Sequence, residues 1–368
     1  MKFLNFFSSL SLLPNRKEIL LFDINTKELM ENINQNYNIL YTRGEKYYFW
    51  PVLKTILKFN FSLLGYYKEV IASLKPKLII TTIDNDIEFY KLKKYFKNKV
   101  FISIQNGHRT KFRSFFFDLL KDETKLFEVD YSFFFNKGIS NFYKKYVKSK
   151  NYILGSFRNN NVPIVRKTKK RIIFISQYRD ETPYYEKIIK NNKLNRDFWT
   201  EYNLLPLINY FCKKHKIEFA VLSCSKKNAH LEKKYYDKVL FKNNYKFIIN
   251  KKNDNYKILD NSELVIFIDS TLGYESIGRQ NKTISLSSRT ILKNKKEIFL
   301  WPKINNLVET PINLYNLNNK KKLFKFLKKN FDQKREKWVY ENLFYIKNCM
   351  NYVRRNQKVK EIINKSLQ

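Results

Sequence analysis

Residues 264–279 constrain the fold of this chain more than any other stretch. The segment begins with five apolar residues, 264–268, and four of them are β-branched or aromatic, which is typical of a strand buried on both faces. The polar residues Asp269, Ser270 and Thr271 then interrupt the apolar run at a place where a helix can begin. The segment therefore predicts a strand–turn–helix unit.

The turn of such a unit lies at the carboxyl end of its strand in an open α/β sheet, where the first N–H groups of the helix attract anions. We predict a phosphate site here, because Ser270 and Thr271 supply hydroxyl donors. Gly273 would let a ligand approach the backbone, and Glu275 would hold ribose hydroxyls. An ordinary N-cap that opens a packing helix is the alternative, and the lack of a capping box leaves both interpretations open.

The same alternation of short apolar runs and helical patterns continues along the chain. Predicted strands cover residues 18–23, 77–82, 100–104, 129–135, 152–156, 170–176, 218–222, 246–249, 264–268 and 283–286. Predicted helices cover residues 47–74, with breaks near Pro51 and Gly65, and residues 87–96, 139–147 and 197–214, with shorter ones from Lys227 and before Asn261. Because strands that alternate with helices form parallel sheets, we predict an α/β protein.

The alternation divides the chain into parts. We predict a first domain at residues 1–157, a linker at residues 158–169, which are polar and contain Pro163, and a second domain at residues 170–314. Residues 315–368 are predicted to be helical and are very basic. Their pattern predicts a membrane-surface element; a solvated face that packs through Phe324, Leu327 and Phe331 is the simpler interpretation, and the two are compatible.

The charge of the chain predicts an anionic partner. Its 368 residues include 72 Lys and Arg against 33 Asp and Glu, a formal charge of +39. Nucleic acid, acidic lipid and phosphorylated substrates all fit such a surface. A coding bias that favours Lys, Asn, Tyr and Ile is an equally weighted explanation for part of the excess.

Cysteine usage and the N-terminus bear on the compartment. Cys212, Cys224 and Cys349 are widely spaced and odd in number, which supports neither a disulfide framework nor a zinc site and favours a reducing cytoplasm. Residues 1–14 have one positive charge and no small-residue cleavage site, so we interpret them as part of the fold or as a membrane-surface contact. No apolar run reaches the roughly 18 residues that a membrane span needs.

Polar clusters follow the predicted strands in both halves. The chain lacks G-x-x-x-x-G-K-[ST], G-x-G-x-x-G, G-x-S-x-G and H-E-x-x-H, which argues against P-loop, dinucleotide, α/β-hydrolase and zincin chemistry. His108, His215 and His230 are too scattered to indicate a metal site. Two α/β halves with polar strand ends are the layout of an enzyme with two substrates.

Six motifs in order carry a resemblance. They are KPKLIITTIDN at residues 75–85, FISIQNG at 101–107, ILGSF at 153–157, IFISQYR at 173–179, DSTLGYE at 269–275 and FLWP at 299–302. Together they resemble bacterial surface-carbohydrate biosynthesis proteins of the GT-B glycosyltransferase type. More distantly, they are similar to capsule Kdo transferases, sialyltransferase-like enzymes and CDP-glycerol glycerophosphotransferases.

The resemblance implies two Rossmann-like domains facing a central cleft, with the acceptor bound by the first, a nucleotide-sugar donor by the second, and the C-terminal helices crossing back. It implies no metal and no cofactor beyond the nucleotide-sugar co-substrate. Asp84 is the first candidate for the catalytic base and His108 the second. Donor nucleotide and phosphate would be bound by Gln177, Tyr178, Arg179, Asp269, Ser270, Thr271, Gly273, Glu275, Ser287, Ser288 and Arg289, and acceptor by Asn85, Gln105, Asn106 and Arg109.

One position departs from the pattern of the resemblance. The similar transferases often have Gln-His-Gly where this chain has Gln105, Asn106 and Gly107. Asn cannot act as a general base, so that role would pass to His108. Simpler interpretations exist as well: Asp84 as a helix N-cap, His108 as a loop residue, Arg179 and Arg289 as surface arginines, and Ser287 with Ser288 as a turn.

These observations lead to a functional expectation. We expect a cytoplasmic enzyme, peripheral to the inner membrane and its anionic surface, that transfers a sugar to a lipopolysaccharide, lipooligosaccharide or capsule glycan. The donor would be a nucleotide sugar, such as a CMP-linked Kdo or nonulosonic acid, and the acceptor a glycan or glycolipid. A glycerol- or ribitol-phosphate transferase on the same fold is one alternative. A basic nucleic-acid-binding protein is the other, although no such motif is present and we expect no nucleic-acid partner.

Overall fold

The chain forms two compact units in a computed structural model that describes residues 8–31, 33, 35–110, 127–178, 196–241, 245–251, 254–286, 298–317 and 319–368. One unit consists of residues 1–107, 114–161 and 353–368, and the other of residues 108–113 and 162–352. Each contains a six-stranded sheet whose neighbouring strands are parallel. The prediction of two Rossmann-like domains is confirmed.

The first unit is built on a sheet with the strand order β3, β2, β5, β6, β7, β8, and β1 and β4 form a separate parallel pair. Its strands are β1 (Leu10–Ser11), β2 (Ile19–Phe22), β3 (Tyr37–Leu40), β4 (Tyr47–Tyr48), β5 (Leu78–Thr81), β6 (Val100–Ile104), β7 (Phe127–Phe134) and β8 (Val147–Ile153). Its helices are α1 (Lys27–Met30), α2 (Phe49–Leu57), α3 (Leu63–Leu74), α4 (Ile87–Leu92), α5 (Lys137–Tyr143), α6 (Phe157–Asn160) and, at the end of the chain, α14 (Gln357–Leu367), with 3₁₀ turns at Ile24–Thr26, Lys93–Tyr95 and Arg354–Asn356.

The second unit has the strand order β11, β10, β9, β12, β13, β14, which places β12 near the middle of its sheet. The strands are β9 (Lys169–Ile175), β10 (Glu218–Leu222), β11 (Lys246–Ile248), β12 (Ser262–Phe267), β13 (Thr283–Leu286) and β14 (Asn313–Leu314). The helices are α7 (Arg196–Lys214), α8 (Ala229–Val239), α9 (Asp254–Asp260), α10 (Thr271–Gly278), α11 (Lys320–Asp332), α12 (Arg335–Glu341) and α13 (Leu343–Cys349).

The last helix belongs to the core of the first unit. Val359, Ile362 and Ile363 of α14 lie in the same buried apolar cluster as Ile80 of β5 and Ile102 of β6. Burial of these side chains removes apolar surface from water and holds the end of the chain on the first sheet. The return of the C-terminal helix that the resemblance implied is therefore present.

The chain changes units between Asn161 and Val162 rather than through a linker at residues 158–169. Residues 157–160 form α6 of the first unit instead, and the buried Asn160 donates from Nδ2 to Asn356 Oδ1 at 2.8 Å. Asn356 in turn donates to the Phe157 carbonyl oxygen at 2.8 Å. Buried polar side chains that hydrogen-bond to one another give no apolar periodicity, so the sequence of this segment resembles that of a linker.

Some predicted boundaries were wrong. The break in residues 47–74 lies at residues 58–62, because Pro51 and Gly65 fall in the first turns of α2 and α3, where a proline or glycine does little harm. The predicted helix at 139–147 ends at Tyr143, and β8 begins at Val147. β8 is an edge strand with alternating exposed residues, so it lacks the continuous apolar run of a central strand.

Within the described residues, no helix is both long enough and apolar enough to cross a membrane.

Candidate functional site

The start of α10 forms the centre of the candidate site. Ser270 occupies the N-cap position with extended backbone angles, φ −67° and ψ 136°, but its side chain makes no capping hydrogen bond. The Ser270 carbonyl oxygen accepts the N–H groups of Gly273 at 2.9 Å and Tyr274 at 3.4 Å. Asp269, Ser270 and Thr271 are half-buried at the carboxyl end of β12. The predicted strand–turn–helix unit is confirmed, and the Ser270 hydroxyl is not used in capping.

His108 lies against this helix start. Its backbone N–H donates to Thr271 Oγ1 at 3.0 Å across 163 positions of sequence. Its imidazole stacks on the Tyr274 ring, with 3.7 Å between the centroids and 15° between the planes. The Tyr274 ring also stacks on Phe299, at 5.9 Å between centroids. The contact joins two of the predicted site residues, His108 and Thr271, within the second unit.

The electrostatics around His108 favour a neutral imidazole. The pKa of His108 is lowered to about 3, mainly by burial; the Asp269 carboxylate opposes this shift, and the positive charge of Arg109 adds to it. His108 Nε2 is buried and has no hydrogen-bond partner among the described residues. A base with so low a pKa is weak at neutral pH, but an anion bound beside the ring would raise the pKa.

Gly273 is required by packing. A Cβ atom at this position would lie 2.1 Å from Phe267 Cγ, far inside van der Waals contact. Phe267 is the last residue of β12 and is fully buried, so its ring fills the space beside the glycine. We interpreted Gly273 as leaving room for a ligand, but the structure gives that room to Phe267.

The Glu275 side chain accepts a hydrogen bond from another residue of the second unit. This side chain is buried, and Oε2 accepts a hydrogen bond of 3.1 Å from the Tyr256 hydroxyl of α9. The role of Glu275 in holding ribose hydroxyls stays a prediction, because a ligand would have to compete with Tyr256 for this carboxylate or share it.

The end of β9 carries a second cluster. Gln177 is half-buried and Tyr178 is buried, and the Tyr178 N–H donates to Ser176 Oγ at 3.1 Å. The Tyr236 hydroxyl bonds to the same Oγ at 2.9 Å. The other donor residues predicted for these loops, Arg179, Ser287, Ser288 and Arg289, lie outside the described residues.

Two buried carboxylates in this cluster were missed in the sequence. Glu201 of α7 accepts the Tyr235 hydroxyl at 2.7 Å and the Tyr236 hydroxyl at 3.0 Å. Glu232 of α8 is fully buried, and burial raises its pKa to about 7. Glu232 precedes Tyr235, Tyr236 and Val239 at helical spacing, which could have indicated an inward-facing position.

Three of the acceptor-side candidates, Asp84, Gln105 and Asn106, make hydrogen bonds at the ends of the neighbouring strands β5 and β6 in the first unit. Asp84 is fully buried; its Oδ2 accepts the Tyr143 hydroxyl at 2.6 Å, and its Oδ1 accepts the Asn106 N–H at 3.3 Å. Gln105 is buried too, donating to the Gly107 carbonyl oxygen at 2.8 Å and accepting the Phe135 N–H at 2.9 Å. These contacts shape residues 105–107.

The remaining acceptor-side predictions have varied surroundings. Asn85 is exposed, whereas Arg109 is 9% exposed and belongs to the second unit. Asp84 is not a helix N-cap, because Asp86 caps α4 by accepting the Glu88 N–H at 3.0 Å. That simpler interpretation of Asp84 is therefore wrong.

Comparison with known proteins decides the family. A family model described as "putative O-antigen biosynthesis protein" matches residues 102–367. The chain belongs to this O-antigen biosynthesis family. The match includes His108 and all of the α10 start, and it agrees with the resemblance to surface-carbohydrate biosynthesis proteins. No curated protein sequence matches the chain.

Solved structures similar to this O-antigen biosynthesis protein share its fold. UDP-GlcNAc 2-epimerase of Methanocaldococcus jannaschii, in complex with UDP-GlcNAc and UDP, is 13% identical with a TM-score of 0.50, over 94% of this chain and 99% of the other. The wall teichoic acid polymerase TagF soaked with CDPG is 11% identical with a TM-score of 0.52, over 96% of this chain and 89% of the other. MnaA of S. aureus with UDP is 13% identical with a TM-score of 0.54, over 96% of this chain and 97% of the other. Identities this low show the GT-B-type fold alone.

Metal binding was not expected for this family member. Among the described residues, no group of three or more His, Cys, Asp or Glu side chains could hold a metal ion. The expectation of metal-independent chemistry stays a prediction.

The stability of this O-antigen biosynthesis protein should depend on His108 at acid pH. The folded-state pKa of about 3 lies below the ordinary 6.5, so the unfolded chain binds a proton first as the pH falls. The contribution of the neutral His108 to the free energy of unfolding is therefore fully present above pH 6.5 and is lost as the pH falls toward 3. Between pH 7 and pH 4 we expect the free energy of unfolding to fall less in His108→Gln than in wild type, with a difference of at most about 3 kcal/mol.

Urea unfolding at pH 7, 5.5 and 4 measures this difference. His230→Gln, at an exposed histidine of α8, controls for the loss of a histidine as such. An identical pH dependence in wild type and His108→Gln would contradict the burial of a neutral imidazole.

Proposed function

We propose that this protein is a glycosyltransferase that moves a sugar from a nucleotide-activated donor to a bacterial O-antigen or a related surface glycan. The observation that carries the proposal is the start of α10, where the Ser270 hydroxyl is not used in capping and Thr271 and His108 meet at the carboxyl end of β12. Membership of the O-antigen biosynthesis family supports the class of acceptor.

The donor phosphate would bind at the first turn of α10. The N-terminus of a helix carries roughly half a positive charge, which stabilises an anion. The Ser270 hydroxyl would donate a further hydrogen bond. A phosphate beside His108 would raise the pKa of the imidazole from its low value in the free protein and let it hold a proton. His108 would then stabilise the leaving phosphate.

Asp84 would act as a positioning residue. It is fully buried, and it holds the Asn106 N–H, two positions before His108. A base that receives a proton from an acceptor hydroxyl must reach that hydroxyl, and this is difficult for a carboxylate already bonded to Tyr143. We therefore place Asp84 behind the reacting groups, in contrast to our first expectation from the sequence.

The donor would be anionic. The charge of +39 suits a nucleotide sugar, including a CMP-linked acidic sugar, and an anionic glycan acceptor. Transfer of glycerol or ribitol phosphate from a CDP-linked donor is the second candidate, supported by the likeness to TagF soaked with CDPG. The nucleobase and the number of phosphates of the nucleotide that binds would distinguish these two classes of donor.

Thermal unfolding with CMP, CDP, UDP, UDP-GlcNAc and a short oligonucleotide tests the proposal. A nucleotide at about 100 times its dissociation constant should raise the melting temperature by roughly 5 °C. Ser270→Ala should leave the melting temperature of the free protein unchanged, because the hydroxyl caps nothing, but should weaken binding about tenfold.

Ser62→Ala is the matched control. Ser62 is the N-cap of α3, and its Oγ accepts the Gly65 N–H at 3.0 Å, so this change should lower the melting temperature but not nucleotide binding. Stabilisation by the oligonucleotide alone would refute the transferase and favour a nucleic-acid-binding protein.

A further inference from the structure

Residues 49–63, which we call the 49–63 segment, expose an unusual amount of apolar surface. The segment comprises α2, the residues after it and the first residue of α3. Within the described part of the chain, 21 large apolar side chains are exposed, and seven of them lie in these 15 positions, which is far from an even spread. They are Phe49, Trp50, Ile56, Leu57, Phe59, Phe61 and Leu63.

Helix α2 buries a polar residue and exposes apolar ones. Thr55 is buried and donates from Oγ1 to the Pro51 carbonyl oxygen at 2.6 Å, while the next two residues, Ile56 and Leu57, are 49% and 68% exposed. A helix that packs only against its own domain has the opposite arrangement. The outer face of α2 therefore suits an apolar partner outside the chain.

The tip of the segment, residues 58–61, is a turn closed by backbone hydrogen bonds. Phe59 has a left-handed backbone, φ 51°, at a position where glycine would be less strained by about 1 kcal/mol. Its N–H donates to the Ile56 carbonyl oxygen at 2.9 Å, and the Asn60 N–H donates to the Thr55 carbonyl oxygen at 3.1 Å. Phe59 and Phe61 are 85% and 75% exposed, so two aromatic rings project from an ordered turn.

Neighbouring elements extend this surface. An open cavity of about 200 Å³ lies beside the tip, and its lining includes Val52, Ile56, Phe61 and Leu63. Strand β1 pairs with β4 so that Ser11 lies opposite Tyr48, which brings the following residue, the 80% exposed Leu12, next to the start of α2.

The charge around the segment is positive. Between positions 43 and 69 there are five Lys or Arg residues and two Glu residues. Lys46, Lys54 and Lys58 are exposed close to the apolar side chains. Trp and Phe beside Lys are the residues that bind the boundary between lipid headgroups and acyl chains, and lysines attract anionic headgroups. Charge complementarity therefore favours a lipid surface over a second copy of this basic chain.

We propose that the 49–63 segment docks this protein on an anionic lipid membrane, with Phe59 and Phe61 entering the headgroup region. The inference deepens the proposed function and rests on it in one respect: an acceptor glycan carried on a lipid would lie at that surface. The basic helices α11 and α14 are less suited to this contact. The apolar residues of α11 and α14 are buried or half-buried, so these helices offer charge without apolar contact.

Co-sedimentation of the full chain with vesicles tests the proposal. We expect binding to phosphatidylcholine vesicles that contain phosphatidylglycerol, weaker binding without it, and a loss of more than about tenfold in the partition coefficient for Phe59→Ser/Phe61→Ser. The control Leu343→Ser/Phe344→Ser changes two exposed apolar residues of α13 and should bind as wild type does. Lys321→Gln/Lys325→Gln in α11 should reduce binding much less than the tip variant.

The outcomes separate this inference from the function itself. The tip variant changes only exposed side chains, so its melting temperature and its stabilisation by nucleotide should equal those of wild type. Unchanged vesicle binding in the tip variant would overturn the inference and leave the transferase intact. Light scattering that finds a dimer, dissociated by the tip variant, together with no vesicle binding, would also overturn it and assign the surface to a second copy.

Discussion

Replacing Arg279 by methionine is expected to lower the free energy of unfolding by about 3 to 5 kcal/mol. Arg279 follows α10, is fully buried, and pairs with Asp260, which is also fully buried. Its Nε donates to Asp260 Oδ1 at 2.8 Å and its Nη2 to Oδ2 at 2.5 Å. It also donates to the carbonyl oxygens of Val162 and Pro163, each at 3.0 Å. The substitution would leave a buried carboxylate without its cation.

Urea unfolding followed by circular dichroism measures this loss. Lys233→Met removes an exposed partner of Asp237 within α8 and should change stability by less than about 0.5 kcal/mol. The double variant Arg279→Met/Asp260→Asn should be more stable than Arg279→Met alone, because it also removes the uncompensated charge. An Arg279→Met protein as stable as Lys233→Met would show that the buried pair contributes nothing.

Gly273→Ala is expected to destabilise the protein by up to about 3 kcal/mol and to weaken nucleotide binding at the start of α10. The added Cβ would overlap the Phe267 ring at 2.1 to 2.6 Å, and this ring is part of the buried core. The overlap involves Cγ, the ring atom nearest the backbone, so a rotation of the ring cannot relieve it. Helix α10 would have to shift away from β12, together with Ser270 and Thr271.

A double-mutant cycle with Phe267→Ala identifies the cause. The change Gly273→Ala should cost less in the Phe267→Ala background, because the clashing ring is then absent. Gly65→Ala in the first turn of α3 is the matched control. Its Cβ would meet the end of the Asn60 side chain, which is exposed and can move. Additive effects of Gly273→Ala and Phe267→Ala would show that the ring is not the obstacle.

The central strands were predictable from the sequence because their signal is local. Residues 100–104, 218–222 and 283–286 were predicted with the bounds that the structure has. Residues 100–104 and 218–222 are mostly apolar, as is typical of strands in a parallel sheet covered on both faces, whereas in residues 283–286 the apolar Ile284 and Leu286 alternate with Thr283 and Ser285. The edge strands β3 and β14 were missed, since an edge strand needs fewer apolar residues.

The site divides in the same way. The sequence by itself determined that Asp269, Ser270 and Thr271 follow a buried strand and begin a helix, because that pattern lies within a few residues. Only the tertiary structure decided that His108 stacks on Tyr274, that Phe267 occupies the space beside Gly273, and that Asp84 is buried behind Asn106. These contacts depend on packing and burial, which the pattern of neighbouring residues in the sequence does not determine.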